Sequence, residues 1–433
     1  MRQVVLSIFI MCSGREASTE KCLQGLMHLR QAVDSELIVI DTGCSEETKA
    51  ILDKYADAVV PFTWVNDFSA ARNFALAQTH GQWVMYQDDD EWFTDTGEIE
   101  QFFLSGEYKN YDAAFYQVRD YRSYEPEDYS VSNAARMFRK DADTHFINRV
   151  HEIFLPEPKK LALLKSYTNH YGYVYASERE RQAHYERNLS LLKQEIADHP
   201  GDMSAWAHLA NEYYCAEKFE ELEACCLQGL EAAVTSTDSR REVALSTFVY
   251  GVLECALRRD EVDLMIARIS DFFASKSLAS TAELRTENHS SKEQIQTKFA
   301  FTEWKMAGKN LAYRGILCNE VTKATLAYFA SLALFSTYQN EETVEACEAY
   351  NAIYDALAQD EQALQQQFSF FSEWIFEDQA KQNIDQILEC AKLKENVARL
   401  MAQGQSTVAK PMILLLQQLY PEDDQVRNWL ATY

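Results

Sequence analysis

Four carboxylates stand side by side in MYQDDDEWF, residues 85 to 93. Asp88, Asp89, Asp90 and Glu91 end an apolar run, and Trp92 and Phe93 follow at once. Such a cluster is either a solvated turn or a holder of something positive that offsets its repulsion. On an extended segment residues two apart point to one side, so Asp88 and Asp90 can converge while Asp89 turns away. Two converging carboxylates suit a hard divalent cation, Mg2+ or Mn2+, of the kind shared with substrate phosphates. The apolar approach and the aromatic exit weigh against a casual surface turn.

Two other groups could share a ligand with this cluster. Asp41-Thr42-Gly43 ends the run ELIVI. Its carboxylate can accept from a base or ribose hydroxyl, or cap the next helix, and Gly43 lets the chain pass close to a ligand. Asp67-Phe68-Ser69-Ala70-Ala71-Arg72-Asn73 places an arginine one turn inside a helix start. That arrangement is either a diphosphate clamp or a surface ion pair.

The elements that must position these residues alternate between strand and helix. VVLSIFIM is a near-continuous apolar run, as expected of a parallel strand buried on both faces. STEKCLQGLMHLR puts Cys22, Leu23, Leu26 and Leu29 on one helical face, with Ser18 or Thr19 as the expected cap. ELIVIDTG is the second strand, and Ser45 can cap EETKAILDKYA; AVVPF is the third strand. NDFSAARNFALAQTHG reads as a helix capped by Asp67 or Ser69 and stopped by Gly81. QWVMYQ is the fourth strand and delivers the acidic cluster. This rhythm predicts a mainly parallel sheet with helices on both sides, and ligands at the carboxyl ends of its strands. Asp41 and the 88–91 cluster should then share one crevice.

Between about residues 112 and 155 the text becomes β-rich, which predicts a mixed extension of the sheet. From residue 178 onward it is helical and nearly free of glycine. Trp206, Leu209, Ala210 and Tyr213 fit the pattern of a tetratricopeptide first helix, and AEKFEELEACCLQGL supplies the second. VALSTFVYGVLECALRR, LAYFASLALFSTY and VEACEAYNAIYDALA suit further helical hairpins, or an irregular helical array. The expected fold class is α/β plus all-α, with a Rossmann-like domain over residues 1–177 and a tetratricopeptide-like helical domain over 178–433.

Composition narrows the function. A chain of 433 residues exceeds one ordinary core. A formal charge of -26 disfavours nucleic acid and anionic membrane surfaces as partners. Ten cysteines without a CxxC pair or a regular framework read as free thiols of a reducing compartment. No apolar stretch approaches the roughly 20 residues of a membrane span, and MRQVVLSIFIM lacks a cleavage site, so a cytoplasmic protein is expected.

The order ELIVIDTGCSEETK, then NDFSAARNFALAQTHGQWVMYQDDDEW, resembles the family 2 glycosyltransferases of the GT-A fold. ARMFRK, RVHE at 149 to 152, HYGY at 170 to 173 and RNLSLL at 187 to 192 extend the likeness. They are similar to a bacterial subgroup that joins this domain to tetratricopeptide-like helices, and that includes peptide S-glycosyltransferases of glycosylated bacteriocins and transferases modifying flagellin or cell surfaces. The likeness runs over roughly residues 3 to 215. It implies a nucleotide-diphosphate sugar donor, a UDP-sugar in preference, and a peptide, protein or glycan acceptor. It also implies inversion by a single displacement and a DXD metal motif at Asp88-Asp89-Asp90.

Carried onto this chain, Asp41, Arg72, Asp88 and Asp89 would meet the nucleotide sugar. Asp90 and Asp88 would hold the metal, with His151 as a further ligand or an orienting group. A base is needed to take the acceptor's proton, and the choice lies between Glu152 and Glu91. His170 and Tyr171 would shape the site or the domain junction. The helical half would grip the acceptor or mediate a homodimer. One departure is clear: Ser13-Gly14-Arg15 precedes Glu16 where the family usually has Lys-Asn-Glu, in a loop near the nucleotide. Gly43-Cys44-Ser45-Glu46 in place of Gly-Ser-Thr-Asp is milder. A nucleotidyltransferase would want a glycine-richer first loop than CSGRE offers. The remaining rival is a scaffold with an impaired catalytic half.

Overall fold

Leu6–Cys12 forms β1 with every residue but Met11 buried, because an apolar run can lie in a sheet covered on both faces. The computed structural model describes residues 4–259, 320–336, 340–358, 376–421 and 423–431. After β1 come α1 (Glu16–Ala32), β2 (Ser35–Asp41), α2 (Glu46–Tyr55), β3 (Ala58–Pro61), α3 (Phe68–Gln78) and β4 (Trp83–Asp88). Strands β3, β2, β1 and β4 lie side by side and parallel.

The expected mixed extension is present. β7 (Tyr129–Arg139) runs antiparallel to β4 and to β6 (Ala113–Tyr121). β10 (Leu161–His170) is parallel to β6, and β5 (Glu91–Phe93) closes the edge antiparallel to β10. α4 (Gly97–Leu104) follows β5, and β8 (His145–Ile147) pairs with β9 (Ile153–Leu155) outside the main sheet.

Strand alternation sends the apolar side chains into two cores. Leu6, Ile8, Ile10 and Cys12 pack with Cys22, Leu23, Leu26 and Leu29 of α1. Phe9, Ile38 and Ile40 pack with Ala75 and Leu76 of α3 and with Phe146. The sheet is therefore covered on both sides, as the βαβ rhythm requires.

Caps explain the helix starts. The Ser45 hydroxyl accepts from the Thr48 N–H at 3.1 Å, and Asp67 accepts from the Ala70 N–H at 2.9 Å. Two boundaries differ from the sequence reading. α1 begins at Glu16, so Ser18 and Thr19 lie inside its first turn, where Ser18 Oγ donates to the Arg15 carbonyl at 3.0 Å. α3 ends at Gln78, before Gly81.

The chain divides into two compact units, residues 1–192 and 193–433. The division falls within α5 (Glu178–Asp198). Every regular element among the described residues of the second unit is a helix. α6 (Met203–Cys215) and α7 (Phe219–Thr235) form the hairpin expected from the tetratricopeptide-like pattern. Trp206, Leu209, Ala210 and Tyr213 are all buried in it. α8 (Arg241–Arg258) packs on α7. Helices Glu320–Ser336, Asn340–Leu357, Asp378–Ala402 and Ser406–Leu419 pack successively on one another. Residues 260–319 of the expected helical half, and the last two of LAYFASLALFSTY, lie outside the described residues.

Candidate active site

Parallel pairing brings the carboxyl ends of three strands to one edge. In register, Asp41 of β2 lies opposite Cys12 of β1, and Met11 lies opposite Asp88 of β4. Asp41 and the acidic cluster therefore stand at one strand edge, with the loop Ser13–Arg15 between them.

β4 ends at Asp88, and Asp89 and Asp90 make a turn before β5 begins at Glu91. The two-residue alternation of an extended segment does not continue through the cluster, and its four carboxylates are bonded differently, with Asp88 and Glu91 sharing Arg136. Asp88 is clamped by two guanidiniums: Arg72 Nη2 donates to Oδ1 at 3.0 Å and Arg136 Nη2 to Oδ2 at 2.9 Å. Burial would raise its pKa, but Arg136 and Arg72 outweigh burial and hold the carboxyl far below its usual range. Asp89 is buried and accepts the Ser13 N–H at 3.2 Å. Burial and the neighbouring Asp90 push its pKa up to about 6.

Asp90 pairs with the Arg15 guanidinium, and His170 Nε2 stands 3.5 Å from its other oxygen. The other nitrogen of His170 is bonded to Asp120 Oδ1 at 2.6 Å. Burial opposes protonation of His170, but the bonds to Asp120 and Asp90 outweigh it and push the pKa up to about 10.

Glu91 has no exposed surface. Its Oε1 accepts from Arg136 Nη2 at 2.7 Å and its Oε2 from the Thr168 hydroxyl at 3.1 Å. Burial pushes its pKa up even against the neighbouring Arg136. Glu152 accepts from Arg72 Nε at 2.9 Å. A chain of alternating charge thus runs Glu152, Arg72, Asp88, Arg136, Glu91. The two guanidiniums also lie over the Tyr86 ring, at 4.4 and 4.8 Å, a setting that favours a desolvated cation.

Asp41 closes its own loop, with Oδ1 accepting from Gly43 N at 2.9 Å and from Cys44 N at 2.7 Å. Burial would raise its pKa, and these backbone donors lower it. Open space lies beside Gly43, at φ 135°. His151 adopts a left-handed backbone, φ 57°. Tyr171 donates its N–H to the Asp90 carbonyl at 3.3 Å, and its ring stacks between Trp92 and Tyr121 at 5.0 and 4.3 Å.

Among the described residues no group of three or more His, Cys, Asp and Glu side chains gathers as a metal cage, so Asp88, Asp90 and His151 do not form one. Mg2+ and Mn2+ are commonly held by one or two protein ligands plus substrate phosphates. Asp90 is a single carboxylate of the kind that mode uses, whereas His170, kept protonated between Asp120 and Asp90, stands beside it as a cation and not as a ligand. Arg136 and Asp120 were not singled out from sequence; His170, expected to shape the site or the domain junction, lies beside Asp90. An arginine between alanine and methionine inside ARMFRK was the signal, since a cation on a buried strand needs anionic partners.

Residues 7–171 match the family described as Glycosyl transferase family 2. The α/β unit is a family 2 glycosyltransferase domain. Curated relatives include a TPR repeat-containing protein of Synechococcus elongatus, 32% identical over 190 residues, which are 41% of this chain and 45% of that protein. The SPbeta prophage-derived glycosyltransferase SunS of Bacillus subtilis is 26% identical over 197 residues, 43% of this chain and 45% of that protein. The chain spans less than half the length of either relative. Among solved structures, S. aureus TarS aligns with a TM-score of 0.36 and 12% identity, over 60% of this chain and 53% of that one. Among the described residues no helix is long and apolar enough to cross a membrane.

Proposed function

We propose that the protein transfers a sugar from a nucleotide-diphosphate donor, UDP in preference, to a peptide, protein or surface-glycan acceptor, inverting the anomeric centre. The observation that carries this reading is the alignment of Asp41 and Asp88 on either side of β1, at the strand edge where α/β sheets bind ligands. Asp41 and Asp88 would accept from the nucleoside, and the fixed geometry of Asp88 favours that role over metal ligation. Asp90 would hold a divalent ion together with the donor phosphates, and the ion when bound would offset the charge of the departing diphosphate. Asp89 acts in this reading by holding the Ser13 loop.

Glu152 is the base we assign. Arg72 orients it from one side, whereas Glu91 is enclosed and fully bonded and serves to place Arg136. The acceptor heteroatom attacks the anomeric carbon as Glu152 takes its proton, and the bond to the diphosphate oxygen breaks. The helical unit is assigned to holding the acceptor or a second copy of the chain.

Calorimetric titration with UDP and GDP, with and without Mn2+, on the wild type and Asp90→Asn tests this. Metal-dependent binding abolished by the substitution is expected, and the preferred nucleotide identifies the base. Failure of both nucleotides to bind in the presence of Mn2+ would sink the donor assignment and favour a partner-binding scaffold.

A further inference from the structure

The departure at Ser13-Gly14-Arg15 has a structural consequence. The loop leaves the carboxyl end of β1 and touches both sides of the crevice. Ser13 N–H bonds to Asp89, and Glu16, just after the loop, accepts from the Ser45 hydroxyl at 3.0 Å in the loop that follows Asp41. Gly14 takes φ 105°, a conformation that admits this sharp turn. The turn delivers Arg15 onto Asp90, with the arginine side chain still 44% exposed. Arg15 is thus a cation on the surface of the crevice, between the two strand ends, anchored only by the carboxylate assigned to the metal.

Arg72 and Arg136 are not equivalent to it. Both are buried or nearly so, and each already bridges two carboxylates. Among the arginines of this cluster only Arg15 faces solvent and holds a single partner in the cluster.

We propose that Arg15 is a diphosphate-binding residue of the donor site. This rests on the donor reading above. Its guanidinium leaves Asp90 when the donor arrives and takes a bidentate position on the phosphate oxygens, for which the planar fork is suited. Asp90 is thereby released to the cation that accompanies the diphosphate. Two consequences follow from charge alone. A divalent cation without nucleotide must displace Arg15 from Asp90 and then face its positive charge, so it binds weakly. A nucleotide diphosphate brings the negative charge that accommodates both cations, so cation and nucleotide bind with positive coupling, which by linkage is reciprocal.

Arg15→Ala and Arg15→Lys test this by calorimetry, with UDP, GDP, uridine and Mn2+ alone as probes and Asp90→Asn as control. The expectation for Arg15→Ala is a loss of about tenfold or more in affinity for the preferred diphosphate with Mn2+. Uridine affinity should be unchanged and affinity for Mn2+ alone increased. Arg15→Lys should restore part of the loss. A merely structural role would not tighten Mn2+ binding while weakening the diphosphate. Unchanged diphosphate affinity in Arg15→Ala, with Asp90→Asn abolishing it, overturns the Arg15 assignment and leaves the donor reading standing. Absence of diphosphate binding in the wild type overturns the donor reading, and this assignment with it.

Discussion

Arg136→Met is the substitution that most directly probes the ion chain beneath the site. Arg136 Nη2 is shared between Asp88 at 2.9 Å and Glu91 at 2.7 Å, and Glu91 has no exposed surface. Methionine fills much of the volume but leaves a buried carboxylate with only the Thr168 hydroxyl and the Asp88 N–H for company. Breaking a buried pair from one side costs about 3–5 kcal/mol, because the remaining carboxyl must either stay charged and desolvated or take up a proton. At about 2–4 °C per kcal/mol for a unit of this size, the melting transition of the α/β unit should fall by roughly 6–20 °C. The assay is thermal unfolding followed by circular dichroism at pH 7, with Glu91→Gln and the double variant completing a cycle. Once Glu91 is neutral its repulsive burial is relieved, so the double variant should be less destabilised than the sum of the two, by at least about 0.5–3 kcal/mol. A single-variant cost below about 1 kcal/mol, or strict additivity in the cycle, would refute the claim that Arg136 exists to neutralise Glu91 and Asp88.

Two further expectations concern the frame around the site and the helical unit. Gly25→Ala would raise helix propensity by about 1 kcal/mol at a solvated position, but here the new Cβ would lie 2.7 Å from the Phe93 carbonyl oxygen, which is backbone. Overpacking should win, lowering stability by about 1–3 kcal/mol in denaturant titration; a gain in stability would show that α1 can retreat from β5 freely. Asp238 accepts from Met203 N, Arg240 N and the Arg240 guanidinium at 2.9–3.0 Å, and although burial raises its pKa these bonds bring the net shift below the usual range. A carboxyl depressed in the folded state contributes stability above its unfolded value and loses it as the pH falls through the folded one. Asp238→Asn should therefore cost about 1–3 kcal/mol at pH 7 and progressively less as the medium is acidified below about pH 4, so an equal cost at pH 7 and pH 3 would contradict this.

How much of this was legible in the residues follows from range. The buried faces of β1 and α1, the Ser45 cap and the narrowing of the α3 cap to Asp67 or Ser69 involve neighbours within a few positions, where periodicity and capping chemistry are written directly; the structure chose Asp67. The same holds for the first tetratricopeptide-like hairpin, whose Trp206, Leu209, Ala210 and Tyr213 interlock within two turns of one helix. The start of α1 was misplaced because Ser18 is a good capping residue in isolation. The loop that ties Ser13 to Asp89, 76 residues away, decides where that helix begins.

By itself the sequence determined the alternation of strands and helices, the edge at which Asp41 and the acidic cluster appear, and the helical second half. Only the tertiary structure decided what each carboxylate does. Arg72 reaches Glu152 across 80 positions, and Arg136 reaches Asp88 across 48. The second meeting requires β7 to run antiparallel beside β4, an order that no local pattern encodes. A row of acidic residues looks alike in sequence; which member is neutralised, which is sealed and which faces the crevice depends on the cations that distant strands carry to it.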